Sequence, residues 1–207
     1  LKDVIAKNKI RDTAILEKII LYLCDNLGNI FSAKRIADFM KSNGRQLGIE
    51  TVYNDLQFLQ DALFCYKVPR YDIKGKKLLE TMEKYYIADQ GIRFRLLGYK
   101  DSAINGLLEN IVFLELIRRG YQVSIGKIGE YEIDFIAEKE GKKEYYQVCY
   151  LLSSEDVKIR EYRSLMQIKD NFPKTILSLD ELPDSFEEGI LRKNLRQWLL
   201  ECLEKNV

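Results

Sequence analysis

Histidine is absent from this chain of 207 residues, and its absence excludes two common kinds of site. No imidazole can bind zinc, and none can act as a general base near neutral pH. Cysteine is sparse, and the four thiols form no Cys-x-x-Cys pair. Scattered cysteines are typical of reduced thiols in a cytoplasmic protein rather than of a disulfide framework. Their positions are Cys24, Cys65, Cys149 and Cys202.

Signals for a membrane, for secretion and for a phosphate loop are missing as well. The chain has no apolar run of membrane-spanning length and no signal peptide, so we expect a cytoplasmic protein without membrane contact. No G-x-x-x-x-G-K-[ST] motif occurs. The net charge of +1 gives no argument for nucleic acid binding. Because the first residue is Leu, we expect a fragment that lacks an N-terminal part.

Three short helices and a pair of strands are predicted for residues 1–100. After a basic lead-in, Leu1–Arg11, Asp12 and Ser32 are N-caps for two helices, and a third opens near Glu50 and Thr51. Strands follow at 65–71 and 85–88. This order is typical of a winged helix-turn-helix domain. The third helix is expected to bury four apolar side chains, which are Val52, Leu56, Leu59 and Leu63.

The third helix would be the recognition helix of such a domain. Spacing places Thr51, Asn54 and Asp55, with Tyr53 beside them, on its outer face. The positions assigned to nucleic acid are Arg45, Thr51, Tyr53, Asn54, Lys74, Lys76 and Lys77. Lys74, Lys76 and Lys77 lie near the tip of the predicted strand pair and are called the hairpin lysines below. In this interpretation they would neutralise phosphates of the DNA. The alternative is a protein-docking domain with solvated lysines, and Asp55 would oppose tight DNA binding.

Residues 101–207 form the second predicted domain. Gln90–Ala103 is expected to be a connection in which Arg93 and Arg95 are surface charges. An apolar helix, Gly106–Arg119, precedes strands at 121–125, 131–137 and 144–151. Alternation places Ile133, Phe135 and Ala137 on one face of the second strand and Asp134 on the other.

The C-terminal part is expected to add two helices and a strand. Ser154 and the acids after it start one helix, and Lys174–Leu179 is a buried strand. Ser185 to Glu188 has the pattern of a capping box, so the closing helix is expected to follow directly. Its apolar stripe, interpreted as core, contains Leu191, Leu195, Trp198, Leu199 and Cys202.

Six short segments together resemble one family, the prokaryotic AAA+ ATPases that carry a C-terminal domain of unknown function. They are 10–13 (IRDT), 51–54 (TVYN), 68–77 (VPRYDIKGKK), 84–89 (KYYIAD), 106–110 (GLLEN) and 132–135 (EIDF). The resemblance covers essentially the whole chain. It implies an α+β or α/β fold, in which a winged helix precedes a restriction-endonuclease-like mixed sheet flanked by helices. It also implies that the ATP-binding module, with its ATP and Mg²⁺, precedes this chain.

The second domain resembles the PD-(D/E)XK nuclease core, whose positions correspond to Glu109, Asp134, Gln147 and Cys149. A phosphodiesterase of this kind needs carboxylates on Mg²⁺ and a cation beside the attacking water. Gln147 and Cys149 replace the acid and the lysine of the family's acidic-x-Lys ending, and a thiol is mostly neutral at pH 7. We therefore expect no catalysis and at most a weak metal site at Glu109, Asp134 and Gln147.

Three functions remain open at this point. The leading hypothesis is a non-catalytic C-terminal region of an AAA+ ATPase that binds DNA or a protein and associates with its own ATPase module. The first alternative is a metal-dependent nuclease with a rearranged site, in which a migrated Lys143, Lys158 or Arg160 supplies the cation. The second alternative is a module for protein docking or oligomer assembly.

Overall fold

The chain is described here by a computed structural model that covers Ala6 and residues 12–204, without the side chains of 80–81 and 202–204. The lead-in predicted for Leu1–Arg11, except Ala6, and the core position predicted for Cys202 therefore lie outside the described residues. Among the helices described, none has both the length and the apolar character needed to cross a membrane.

The protein is a mixed α/β structure with a large mixed sheet and flanking helices. The helices are α1 (Thr13–Asp25), α2 (Ala33–Ser42), α3 (Ile49–Asp61), α4 (Gln90–Leu97), α5 (Ile104–Arg118), α6 (Glu155–Met166) and α7 (Leu195–Glu204). The strands are β1 (Cys65–Asp72), β2 (Lys77–Ile87), β3 (Gln122–Ile128), β4 (Tyr131–Lys139), β5 (Lys142–Val148), β6 (Lys174–Ser178), β7 (Ser185–Glu187) and β8 (Ile190–Asn194). A 3₁₀ turn, Asp101–Ala103, precedes α5.

Two compact units divide the chain, and the first consists of residues 1–68 and 81–107. Its helices begin at the predicted caps, since Asp12 accepts a hydrogen bond from the Ile15 N–H and Ser32 accepts one from the Arg35 N–H. Apolar side chains from α1, α2 and α3 meet in one core with Cys65, Tyr85 and Leu107.

Leu63 was wrongly predicted to lie in this core. It is 67% exposed, and it follows the end of α3 with a φ of 54°. The Leu63 N–H donates to the Gln60 carbonyl and the Phe64 N–H donates to the Leu59 carbonyl. These bonds form a Schellman motif, which reverses the chain and turns the Leu63 side chain outward.

The predicted connection at 90–103 is also wrong, because Gln90–Leu97 forms α4. Asp89 caps this helix by accepting a hydrogen bond from the Gly91 N–H. Arg93 is not a surface charge, since it is only 1% exposed. Its Nε donates to the Cys24 carbonyl at 3.0 Å, near the C-terminal end of α1, where a cation is favoured by the helix dipole.

The second unit consists of residues 69–80 and 108–207. The strand order of the sheet is β2-β1-β3-β4-β5-β6-β8-β7. The β1 end pairs in parallel with β3, β3 to β5 are antiparallel, and β5, β6 and β8 are parallel. Helix α6 covers a core on one face, which includes Tyr145, Cys149, Tyr162, Leu165 and Ile176.

A bulge in β4 overturns the predicted alternation. Ser124 pairs with Ile136 and Gly126 pairs with Ile133, so β4 uses one residue more than β3 over this step. As a result Ile133 joins Ile136 in the core beneath α6, whereas Phe135 packs against Phe113. The extra residue falls next to Asp134.

The predicted capping box at 185–188 is a strand instead. Ser185–Glu187 forms β7 and pairs with β8, and the turn residues Glu188 and Gly189 both have positive φ, as in a type I′ hairpin. Leu191 accordingly lies in β8 and not in the closing helix. That helix, α7, is capped by Asn194, whose Oδ1 accepts from the Arg196 and Gln197 N–H groups. The predicted core positions Leu195 and Trp198 are buried.

Candidate functional site

Asp134 and Gln147 are brought together at the point where β4 and β5 stop pairing. The Asp134 side chain is buried, and its Oδ2 accepts a hydrogen bond from the Val148 N–H at 2.8 Å. In return the Asp134 N–H donates to Gln147 Oε1 at 3.4 Å. The side chains of Asp134 and Gln147 thus form hydrogen bonds where backbone-to-backbone hydrogen bonds would otherwise join β4 and β5. Both groups therefore have a structural use, which limits the oxygen atoms that they can offer to a metal.

The Gln147 amide also connects the sheet to α6. The Ser164 hydroxyl has one proton to donate and two acceptors within reach, the Glu161 carbonyl at 3.0 Å and Gln147 Oε1 at 3.5 Å. Glu161 itself is 5% exposed, although it is an acid. Neither Ser164 nor Glu161 was identified from the sequence. Their spacing of three on a helix that also buries Leu165 is the signal that could have indicated an inward position.

Cys149 lies at the position where the nuclease pattern has a lysine. It is 3% exposed, and burial raises the pKa of its thiol far above the usual range. The carboxylates of Glu161, Asp180 and Asp134 raise this pKa further, and Arg160 opposes them. The thiol stays protonated and neutral, so it cannot replace an ammonium group.

Each of the three migrated cations considered is paired with a carboxylate. Lys143 lies four residues before Gln147 on β5, about 13 Å along the strand at roughly 3.3 Å per residue, and binds Glu138 at 2.8 Å. Lys158 binds Glu187 at 2.9 Å. Arg160 interacts electrostatically with Asp134 and Cys149, and its guanidinium contacts Glu161 at 2.7 Å. That contact neutralises the cation.

The remaining nuclease position, Glu109, is buried on α5 with 8% exposure. Throughout the part of the chain that the structure describes, no group of three or more cysteine and carboxylate side chains is placed to hold a metal ion. The hydrogen bonds of Asp134, Gln147 and Ser164 join two strands of the sheet to α6.

Helix α3 presents a different set of residues from the one expected. Thr51, Tyr53 and Asn54 are exposed, with half of the Tyr53 surface accessible. Asp55 was wrongly predicted to share this face. It is 5% exposed, and burial raises its pKa to about 6, with a further increase from Asp12. The outer face of α3 therefore lacks the acid that counted against contact with phosphates.

Arg45 precedes α3 and is exposed. Its guanidinium lies 3.5 Å from the Asp12 carboxylate, a surface ion pair in which both side chains are about half exposed. Such pairs contribute little to stability and exchange readily with other partners. Arg45 thus remains accessible to an anionic ligand.

The hairpin lysines are all exposed and belong to the second unit. Asp72 Oδ1 accepts hydrogen bonds from the Lys74 and Gly75 N–H groups, which fixes the turn. The Ile73 N–H donates to the Lys127 carbonyl at 2.8 Å, so the tip is joined to β3. The lysines accordingly stand on an anchored turn and not on a free loop.

Residues 1–103 match the family model described as "Domain of unknown function (DUF8612)". An uncharacterized protein of Haemophilus influenzae is 36% identical over 97% of this chain, and this chain spans 50% of that protein. An uncharacterized protein of Methanocaldococcus jannaschii is 32% identical over 82% of this chain, and the match spans 38% of that protein. No solved structure matches the chain significantly. The chain thus spans half or less of the length of these two longer proteins, and its first 103 residues match a domain of unknown function.

Proposed function

We propose that this chain is a non-catalytic, DNA-binding region of a larger AAA+ ATPase. In this proposal residues 1–100 are a winged helix-turn-helix with its connection, and residues 101–207 are a nuclease-like scaffold without a metal centre. The ATPase module, with its ATP and Mg²⁺, would lie in the part of the protein that this chain does not include. The AAA+ assignment depends on the sequence resemblance, and the greater length of the two relatives is compatible with it.

The burial of Asp55 is the observation that carries the proposal. With this carboxylate removed from the surface, α3 presents a hydroxyl, a phenol and an amide, in Thr51, Tyr53 and Asn54, and the exposed acid of its first turn is Glu50. These groups can bond to base edges and phosphate oxygens of duplex DNA. Three helices followed by a hairpin are also the order of elements in winged helix-turn-helix proteins.

Binding of a labelled DNA duplex, followed by fluorescence anisotropy over a range of salt concentrations, tests the proposal. We expect binding that weakens steeply with salt and falls about tenfold or more in Tyr53→Ala/Asn54→Ala. Gln57→Ala, an exposed change one turn further along α3, is the matched control. Equal affinity for the double variant and the parent chain would contradict the assignment of α3.

The same protein incubated with Mg²⁺ or Mn²⁺ tests the rearranged nuclease. From the geometry around Asp134 we expect that the protein does not cleave DNA. Cleavage that disappears in Asp134→Ala would establish the nuclease instead.

A protein-docking function is the second candidate, and a specific observation favours it. Helix α4 exposes Ile92, Phe94 and Leu96, and Tyr99 just after it is 63% exposed. Apolar side chains grouped in this way on a short segment are typical of a surface that binds another protein. Failure of every DNA form to bind, together with tight association with the separately produced ATPase half, would support this candidate.

A further inference from the structure

A groove in the second unit brings two hairpin lysines together with residues that no sequence motif singled out. It has a volume of about 510 Å³ and lies between the β1–β2 turn, the β3–β4 turn and the segment after α6. Its basic side chains are Lys74, Lys76 and Lys169. Its other side chains include Tyr131 and a floor formed by Ile73, Ile128 and Ile168.

Among the side chains that the structure describes, few acids offset the positive charge of the groove. Lys74 and Lys76 are exposed, and neither forms an ion pair with a residue that the structure describes. The one acid in the lining is Asp170, whose carboxylate accepts from the Tyr145 hydroxyl at 2.6 Å and contacts the Lys174 ammonium at 3.3 Å. That carboxylate is thus already occupied, and an anion entering the groove would meet mainly lysines.

Tyr131 and the apolar floor indicate which kind of anion fits. Tyr131 is 36% exposed, and Ile73 and Ile128, which also line the groove, are half-buried. A base that is not paired or stacked in a duplex can lie on such a ring, while lysines hold the adjoining phosphates. A duplex would present phosphates alone and leave the apolar floor without a partner.

We propose that this groove binds a single-stranded nucleic acid, with Lys74, Lys76 and Lys169 on the backbone and Tyr131 stacked on a base. The proposal extends the proposed function by adding a second nucleic-acid surface, and it assigns Lys169 and Tyr131 as binding residues. It uses none of the α3 residues, so the two surfaces can be tested separately.

Fluorescence anisotropy of a labelled oligothymidylate, titrated with the full chain, tests this inference. We expect Lys169→Glu and Lys74→Glu/Lys76→Glu each to weaken binding about tenfold or more, and the log–log salt slope to fall by about 0.7 for each lysine that no longer neutralises a phosphate. Tyr131→Ala should weaken binding between about fivefold and a hundredfold, as for loss of one stacked base, and Tyr131→Phe should restore it.

Lys142→Glu is the matched control, since Lys142 is an equally exposed lysine that lines a different cavity. Equal weakening by Lys142→Glu and Lys169→Glu would overturn the inference, because nonspecific charge would then explain it. Unchanged affinity in Tyr131→Ala, or no binding by the parent chain, would overturn it too. Tyr53→Ala/Asn54→Ala should leave oligothymidylate binding intact, so loss of duplex binding alone would count only against the α3 proposal.

Discussion

Asp55 shows how one side chain can alter the interpretation of a whole surface. Helical spacing alone placed it beside Thr51 and Asn54, on the face that was expected to meet DNA. The structure buries it, and its neighbour Leu56 is buried as well. An acid in this position is costly because burial disfavours its charged form. The sequence could not show this, since a helix that packs along a broad face can bury a polar position next to an apolar one.

Asp55→Asn should remove a pH dependence of stability. The pKa of Asp55 is about 6 in the folded protein against an ordinary value of 3.8, so the folded state binds the proton more tightly. Stability therefore rises as pH falls from about 7 towards 4, by on the order of 2–3 kcal/mol for this residue. In Asp55→Asn, urea unfolding at pH 7.5 and pH 5 should lack this rise, and stability at pH 7.5 should increase.

Asp61→Asn is the control for this comparison, because Asp61 is exposed at the end of the same helix. It should keep the pH dependence of the parent chain. The prediction would be contradicted if the parent chain became less stable between pH 7 and pH 5 and Asp55→Asn showed the same decrease. The pH dependence of stability would then come from groups other than Asp55.

Among whole elements, α1, α2 and α6 were predictable because their caps are local. Asp12, Ser32 and Ser154 each cap the helix that the sequence assigned to them. The region at 185–188 was not predictable in the same way. Its serine and glutamate fit a capping box as well as they fit a strand. The segment is a strand because it pairs with β8, which is part of the sheet.

The candidate site was also predictable only where its structure depends on local sequence. The strands that carry Asp134 and Gln147 were located correctly, and their approach to each other follows from antiparallel pairing. The bulge beside Asp134 was missed, as were Glu161 and Ser164 on α6. A bulge and a helix-to-sheet contact depend on residues far apart in the chain, so no local pattern can specify them.

The start of α5 gives a prediction for one element. A Cβ placed on Gly106 would lie 2.2 Å from the Leu27 carbonyl oxygen, a backbone atom that cannot move aside alone. Gly106→Ala should therefore lower the free energy of unfolding by roughly 1–3 kcal/mol, as in overpacked cores. Thermal denaturation measures the effect.

Gly48→Ser provides the comparison, because a Cβ at Gly48 would have no neighbour closer than 3.8 Å. Gly48 is the N-cap of α3 and has no side chain to bond the helix, so serine should leave stability unchanged or raise it slightly. A Gly106→Ala protein as stable as Gly48→Ser would show that the backbone at Leu27 adjusts freely.

At the scale of the whole molecule, the order of helices and strands was better predicted than the grouping of residues. The sequence suggested a boundary near residue 100. In the structure, residues 69–80 belong to the same compact unit as residues 108–207. Periodicity reports what each segment is, whereas the groove at Lys169 and the parallel pairing of β1 with β3 depend on how distant segments meet.

The assignment of residues 69–80 to the second unit has a practical consequence for anyone who divides this protein. A piece comprising residues 101–207 would lack the β1 segment that pairs with β3 at Arg70, Tyr71 and Asp72, and would leave the amide groups of that strand open to another chain. We expect this piece to self-associate in sedimentation experiments, and a version carrying residues 69–80 on a linker to remain monomeric. Deletion experiments that cut at residue 100 would then expose an unpaired sheet edge, and a loss of binding in them would not show which half carries the proposed nucleic-acid surface.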